Sequence, residues 1–110
     1  MADDRPTISS HVLDTGAGMP RAGVHVRLRR LQEGTADAIL SEAVTDRDGR
    51  VRDLIGGGTL EVGAYRLEFD LDGGGFFTAL AVDIRVEDAT RDYHVPLLLA
   101  PYGLTTYRGS

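Results

Sequence analysis

The sequence of 110 residues contains no cysteine and no long apolar segment, and these absences exclude several classes of protein. Without cysteine there are no disulfides and no thiol chemistry. No apolar stretch approaches the roughly 20 residues that a membrane-spanning helix requires. The first residues, MADDRPTISS, lack the apolar core of a secretory signal. We therefore expect a cytoplasmic protein that has no membrane partner.

Lysine is also absent, so all twelve basic residues are arginines, and the net charge is −5. A surface that binds nucleic acid needs a basic stripe with few acids nearby, whereas these arginines are scattered among acids. The nearest approach to a basic cluster is Arg27, Arg29 and Arg30. A simpler interpretation than a binding surface is that these three arginines lie on the solvated face and at the end of a strand. We expect no nucleic-acid partner.

What the sequence does contain is a hydrophobic period of two. Apolar and polar residues alternate over 24–29, 65–70 and 80–87, and this pattern predicts half-buried strands. The segment 31–40, which Gly34 interrupts, is interpreted as the end of one strand, a loop and the start of the next. Short strands separated by glycine-rich and proline-rich turns predict an all-β sandwich or barrel.

The length of the chain predicts a single domain over residues 1–110. A chain of this size can bury one core but not two.

The strand predicted over 93–100 is apolar on both faces. One face carries Tyr93, Val95, Leu97 and Leu99, and the other carries His94, Pro96, Leu98 and Ala100. Because both faces need cover, we expect one to meet the core and the other to meet another subunit, the alternative being a long loop. Proline cannot donate to a β-ladder, so Pro96 favours an edge strand or a position without a ladder bond.

The chain has three histidines, His11, His25 and His94. His25 is predicted at the surface. His11 lies in ISSHVLD, where small polar neighbours would leave room for a ligand, but a structural histidine remains the alternative for both His11 and His94. No His-x-His, HExxH or cysteine pair is present, so we predict no metal site.

Other chemical motifs are weak or absent. The DRDG stretch at 46–49 is similar to the start of a calcium loop but lacks the remaining spacing and the distant glutamate. Asp48-Gly49 is therefore interpreted as a hairpin turn. The glycine triplets lack the context of a phosphate-binding loop, and there is no Gly-x-Ser-x-Gly elbow of a serine hydrolase.

Four stretches resemble one known family. HVLDTGAGMPRAGVHVRL at 11–28, TDRDGR at 45–50, AYRLEFD at 64–70 and YHVPLLLAPYGLTTYRGS at 93–110 are similar to the transthyretin family, and in particular to its enzymatic branch, the 5-hydroxyisourate hydrolases. The similarity covers nearly the whole chain in the same order. The terminal YRGS is its most specific part, because the hormone carriers of the family lack it.

The resemblance implies an all-β, prealbumin-like sandwich of two four-stranded sheets. It implies a homotetramer with sites at the dimer–dimer interface. It also implies a purine-derived small-molecule substrate, 5-hydroxyisourate, which is hydrolysed to 2-oxo-4-hydroxy-4-carboxy-5-ureidoimidazoline in urate degradation. Water attack and ring opening of this kind require no cofactor. The alternatives are a non-catalytic carrier that binds an aromatic small molecule in a channel through the centre of the tetramer, and a β-sandwich interaction module.

The resemblance also implies the site residues. The expected catalytic residues are His11, Arg50, His94 and Ser110, and the expected substrate-binding residues are Tyr107, Arg108 and Gly109. Arg50 would orient the substrate and stabilise negative charge, while the two histidines would share the base and acid roles in an order left open. Arg108 could instead pair with a nearby acid, and Tyr107 could be part of the wall.

The chain departs from the family in one place. Only LDGGG, residues 71–75, stands where members usually carry a longer segment with a short helix. We expect that helix to be shortened or lost. Phe76 and Phe77 would then have less cover, and one of them should be partly exposed.

Overall fold

The computed structural model describes residues 5–33 and 35–110, and these residues form nine strands and no helix. The strands in chain order are β1 (Ile8–Asp14), β2 (Met19–Pro20), β3 (His25–Gln32), β4 (Thr35–Val44), β5 (Arg50–Val51), β6 (Gly63–Asp70), β7 (Ala79–Val86), β8 (Tyr93–Leu99) and β9 (Leu104–Thr106). The end of β3 and the start of β4 confirm the interpretation of 31–40, although Gly34 itself lies outside the described residues. Since the described residues contain no helix, none of them forms an apolar helix that could cross a membrane.

The strands form two sheets. The first has the order β2-β1-β8-β9, with β5 also paired to β1, and the second has the order β4-β3-β6-β7. The predicted prealbumin-like sandwich is confirmed, with the two-residue β2 as an addition to the first sheet. Between β6 and β7 the chain makes a turn and no helix, so the predicted loss of that helix is confirmed as well.

The core lies between the two sheets and is built from the alternating apolar residues. Its most deeply buried side chains are Ile8, Val12, Val26, Leu28, Leu54, Tyr65, Leu67, Phe69, Val86 and Leu97. On β8 the burial pattern places Tyr93, Val95, Leu97 and Leu99 in the core. His94 and Leu98, which point the other way, are half-buried. The alternation in β8 therefore leaves its histidine on the outer face of the first sheet.

One local prediction is wrong, and the two alternatives for Pro96 are resolved. Asp48-Gly49 forms a turn, with Gly49 in the left-handed region at φ 77°, but the turn is not a hairpin. It joins β4 of the second sheet to β5 of the first, and a local Asp-Gly signal cannot tell these two connections apart. Pro96 does not lie on an edge strand, since β8 runs between β1 and β9.

Pro96 instead takes the other predicted position, one without a ladder bond. It faces the gap between the Leu97–Thr106 pair and the His94–Gly109 bridge. No backbone N–H is needed there, which explains how proline fits into a central strand.

The arginine cluster on β3 is neutralised by acids. Arg27 donates to both carboxylate oxygens of Asp70, at 2.8 Å each, and to Glu68 at 3.2 Å. Arg29 donates to the same Glu68 at 2.9 Å. These bonds raise the pKa of Arg27 and lower the pKa values of Asp70 and Glu68. The outer face of the second sheet therefore carries a network of cross-strand ion pairs, which agrees with the interpretation of this cluster as the polar face of a strand.

The turn that replaces the helix leaves aromatic surface uncovered. Phe76 is 68% exposed and Phe77 is half-buried, which confirms the expectation for this pair. Phe76 packs edge-on against Phe77, with ring centroids 5.0 Å apart, and lies 6.1 Å from Tyr102, which is 83% exposed.

The contribution of the core can be tested with a matched pair of leucines. Leu67 is fully buried, whereas Leu40 on edge strand β4 is 56% exposed. We expect Leu67→Ala to lower the free energy of unfolding by about 2–5 kcal/mol, because it leaves a cavity. Leu40→Ala should change it by less than about 1 kcal/mol. Urea denaturation measures both, and equal losses would contradict the position of the core.

Candidate active site

The pairing of β1 with β8 brings the first and last parts of the chain together. The two strands run parallel, with Ser9 opposite His94 and His11 opposite Pro96. Ile8, Ser10 and Val12 of β1 are buried in the sandwich, so Ser9 and His11 project from the outer face, as His94 does. Ser9 Oγ lies 2.8 Å from His94 Nδ1.

Arg50 reaches the same face through β5. This two-residue strand pairs antiparallel with β1 and sets Arg50 directly opposite His11. Directly opposite residues of an antiparallel pair project from the same face of a sheet. The outer face of the first sheet therefore carries both histidines and this arginine on three adjacent strands.

The tail of the chain extends this face beside β8. The Gly109 N–H donates to the His94 carbonyl oxygen at 2.8 Å and forms an isolated bridge there. A Cβ at position 109 would lie 2.6 Å from His94 Cδ2, so the backbone can approach the imidazole closely only if residue 109 is glycine. The next residue, Ser110, is thereby held close to His94.

Three of the four predicted catalytic residues line one cavity. The cavity has a volume of about 330 Å³, and its lining residues are Ser9, Ser10, Arg50, Val51, Arg52, Asp92, His94 and Ser110. His11 is not part of the lining, but it lies directly beside Arg50 in the β-ladder.

Tyr107 and Arg108 line a different cavity of about 350 Å³, together with residues of β7, β8 and β9. The two cavities share His94. The Arg108 guanidinium carbon lies 4.7 Å from the centre of the Tyr93 ring, a cation–π contact. The geometry thus separates these two tail residues from the cavity of Arg50 and Ser110.

The protonation of His11 follows from its hydrogen bond. Its Nε2 lies 2.8 Å from the backbone oxygen of Asp48. A carbonyl oxygen can only accept, so Nε2 must carry a proton. In the neutral ring the lone pair is then on Nδ1, which is the nitrogen left for proton exchange.

His94 is biased toward its neutral form. Burial, followed by the positive charges of Arg50 and His11, lowers the pKa of His94 below its usual 6.5. An imidazole that is neutral near pH 7 and lines a polar cavity can take a proton from water. The arrangement therefore supplies a base beside a fixed cation.

Prediction from residue types and resemblance missed two partners of the histidines. One is Ser9, and the other is the backbone oxygen of Asp48. Ser9 shares a strand face with His11, but only the β1–β8 register reveals that it meets His94. No sequence signal identifies a carbonyl oxygen as a histidine partner. Among the described residues no group of three or more histidines and carboxylates could hold a metal ion.

The electrostatics of His94 can be tested by removing the neighbouring cation. In Arg50→Gln the loss of a positive charge should raise the pKa of His94. An NMR titration of the imidazole Cε1–H signal measures this change. Arg52→Gln is the matched control, because Arg52 lines the same cavity but is not among the causes of the shift. Equal titration of His94 in the unaltered protein and in R50Q would contradict the assignment.

The same lowered pKa has a consequence for stability. The unfolded chain, with a histidine pKa near 6.5, binds a proton more readily than native His94. The native state therefore loses stability from this residue as the pH falls below 6.5, and the loss should be smaller in R50Q.

Comparison with known proteins shows the family of the chain. The family model described as "HIUase/Transthyretin family" matches residues 8–109. The 5-hydroxyisourate hydrolase of Caulobacter vibrioides is 40% identical over 114 residues, which cover 94% of this chain and 97% of that protein. The structure of the Klebsiella pneumoniae 5-hydroxyisourate hydrolase is similar with a TM-score of 0.80 and 33% identity, over 96% of this chain and 99% of that one.

A transthyretin has the same architecture. The structure of sea bream transthyretin in complex with thyroxine gives a TM-score of 0.81 at 25% identity, over 93% of both chains. Because the family model and the relatives span nearly the full length of both partners, the chain belongs to the HIUase/transthyretin family.

Proposed function

We propose that this chain hydrolyses 5-hydroxyisourate to 2-oxo-4-hydroxy-4-carboxy-5-ureidoimidazoline in urate degradation. The observation that carries the proposal is the convergence of His94, Arg50 and Ser110 on one cavity, with His11 beside Arg50. Support comes from the full-length similarity to proteins named as hydrolases of this substrate.

The first step is attack of water on the ring carbonyl. Neutral His94 takes one proton from the water, and the hydroxide oxygen bonds to the carbonyl carbon. Negative charge develops on the former carbonyl oxygen. The Arg50 guanidinium, with its fixed fork of donors, stabilises that charge and holds the flat heterocycle.

The second step opens the six-membered ring. The bond between the carbonyl carbon and the ring nitrogen breaks as the carbonyl re-forms as a carboxylic acid. The leaving nitrogen takes a proton from protonated His94, which returns to its neutral form. One water is consumed, and no electron leaves or enters, so the step needs no cofactor.

The remaining site residues have supporting roles. His11 can exchange a proton through Nδ1, because its Nε2 is engaged by Asp48. The Ser110 hydroxyl holds water or substrate in the cavity. Gly109 positions His94 through its backbone bond. For Arg108, the contact with the Tyr93 ring favours a structural role over direct substrate binding.

The activity is tested with freshly generated 5-hydroxyisourate, whose decay is followed by ultraviolet absorbance. We expect the unaltered protein to accelerate the decay and His94→Ala to reduce turnover by about 10²–10⁴-fold. His25→Ala is the matched control, because His25 lies on the second sheet against Glu42. A rate equal to the spontaneous one for the unaltered protein would refute the proposal. Binding of an aromatic ligand without hydrolysis would instead favour a carrier.

We further propose a homotetramer with its sites at the dimer–dimer interface. The outer face of β8 is partly apolar, and Leu98 is half-buried on the same face as His94. Strands β7 and β9 end the two sheets, and the turns before them expose Phe76 and Tyr102. Apolar surface of this kind beside unpaired strand edges favours association with further copies.

The assembly is tested by placing charge on the outer face. Leu98→Arg should dissociate the tetramer, because burying an unpaired guanidinium in an interface is costly. Leu40→Arg, at an exposed position on the second sheet, is the control and should leave the mass unchanged. Light scattering measures both. A monomeric unaltered protein, or a tetrameric L98R, would contradict this arrangement.

A further inference from the structure

The turn between β4 and β5 is organised by one carboxylate. Asp46 Oδ1 accepts the N–H groups of Asp48, at 2.9 Å, and Arg50, at 3.0 Å. The Asp46 backbone adds two bonds, since its N–H donates to the Arg50 oxygen at 3.0 Å and its oxygen accepts from Gly49 N–H at 2.9 Å. Asp46 thus makes hydrogen bonds to Asp48, Gly49 and Arg50.

This turn aims the Asp48 carbonyl oxygen that accepts the hydrogen bond from His11 Nε2. The peptide between Asp48 and Gly49 is planar and trans, so its C=O and N–H point in opposite directions. The Gly49 N–H donates to the backbone oxygen of Asp46. The Asp48 C=O consequently points away from Asp46, toward His11 Nε2 at 2.8 Å. The orientation of one peptide plane therefore decides which His11 nitrogen carries the proton.

Neighbouring contacts leave this peptide little freedom. The Gly49 oxygen accepts from Val12 N–H of β1 at 2.7 Å, and a Cβ at position 49 would collide with the Val12 carbonyl oxygen. Arg50, which follows immediately, starts β5 opposite His11. The same turn thus sets the backbone of the catalytic cation and the tautomer of the histidine beside it.

We propose that Asp46 is a positioning residue for the reaction, which acts through the Asp48 carbonyl on the His11 tautomer and through the backbone on Arg50. This inference rests on the proposed function for its effect on turnover, but its structural effect on His11 does not depend on any substrate. In this role the first residue of the DRDG stretch at 46–49 organises the turn and needs no calcium ion. The Oδ1 atom of Asp46 is already engaged by two N–H donors, as in a turn.

The charge state of Asp46 is consistent with this role. The side chain is exposed, yet the Arg50 N–H is the largest of several effects that lower its pKa. Asp46 is therefore ionised at neutral pH, and an ionised acceptor makes stronger hydrogen bonds to N–H groups than a neutral one.

The first measurement uses the unaltered protein. Long-range proton–nitrogen NMR correlations of the imidazole rings distinguish the two neutral tautomers, and single His→Gln variants assign the three histidines. We expect the neutral His11 ring to be protonated at Nε2 alone. A His11 protonated at Nδ1 would overturn the inference without any change to Asp46.

The second measurement compares variants at Asp46. Asp46→Ala keeps the backbone bond from Gly49 N–H but removes the two side-chain bonds to the N–H groups of Asp48 and Arg50, on either side of this peptide. We therefore expect the Asp48 carbonyl to lose its fixed direction, with a mixture of His11 tautomers and about a tenfold fall in kcat. Asp46→Asn keeps an amide oxygen at the same place and should restore most of the tautomer preference and of the rate. Asp88→Ala is the matched control, because Asp88 Oδ1 caps Thr90 by two similar bonds in another exposed turn. It should affect stability but neither His11 nor kcat.

The outcomes separate the two proposals. A single His11 tautomer in D46A would overturn the inference, whatever the rate. An equal loss of rate in D46A and D88A would also overturn it, because a general loss of stability would then suffice. If the unaltered protein does not hydrolyse 5-hydroxyisourate but D46A still mixes the tautomers, the proposed function fails while the positioning of His11 stands.

Discussion

The parallel register between β1 and β8 is the constraint on which the rest of the site depends. It joins two segments that are 85 residues apart and sets Ser9 against His94. Because side chains alternate along a strand, a slip of one residue would turn His94 into the core. The buried Ile8 and Val12 of β1 and Leu97 of β8 prevent that slip, since the same slip would expose them. The packing of the core thus fixes the face on which the candidate site lies.

The sequence predicts where the strands lie better than it predicts which strands pair. A period of two is a local property, so 65–70 and 80–87 are identified without knowledge of the fold. Which strands pair, and in which direction, depends on contacts distant in sequence, and the resemblance implied only that there are two four-stranded sheets. The Asp48-Gly49 turn shows the limit, because a hairpin and a crossover between sheets share the same local signal. Ser9 is a second example, since only the register of β1 against β8 identifies His94 as its partner.

The charge distribution explains how the two sheets differ in function. On the second sheet, arginines of β3 form ion pairs with carboxylates of β6, so their positive charge is neutralised on that face. On the first sheet, Arg50 lies next to two imidazoles, and burial, followed by the charge of Arg50, lowers the pKa of His94. A cation that is paired with acids contributes little field to a ligand. Arg50, beside the histidines, is therefore placed to act on the oxyanion of the proposed reaction.

A site on the outer face of a sheet has a physical weakness, which is its exposure to water. The cavity of His94, Arg50 and Ser110 is bounded by one sheet and the tail of the chain. In water the attraction between a guanidinium and an oxyanion is strongly screened, and it grows as water is excluded. In the proposed tetramer, the partner that covers Leu98 would also cover this cavity. Assembly would then strengthen the electrostatic part of catalysis, in addition to burying an apolar face.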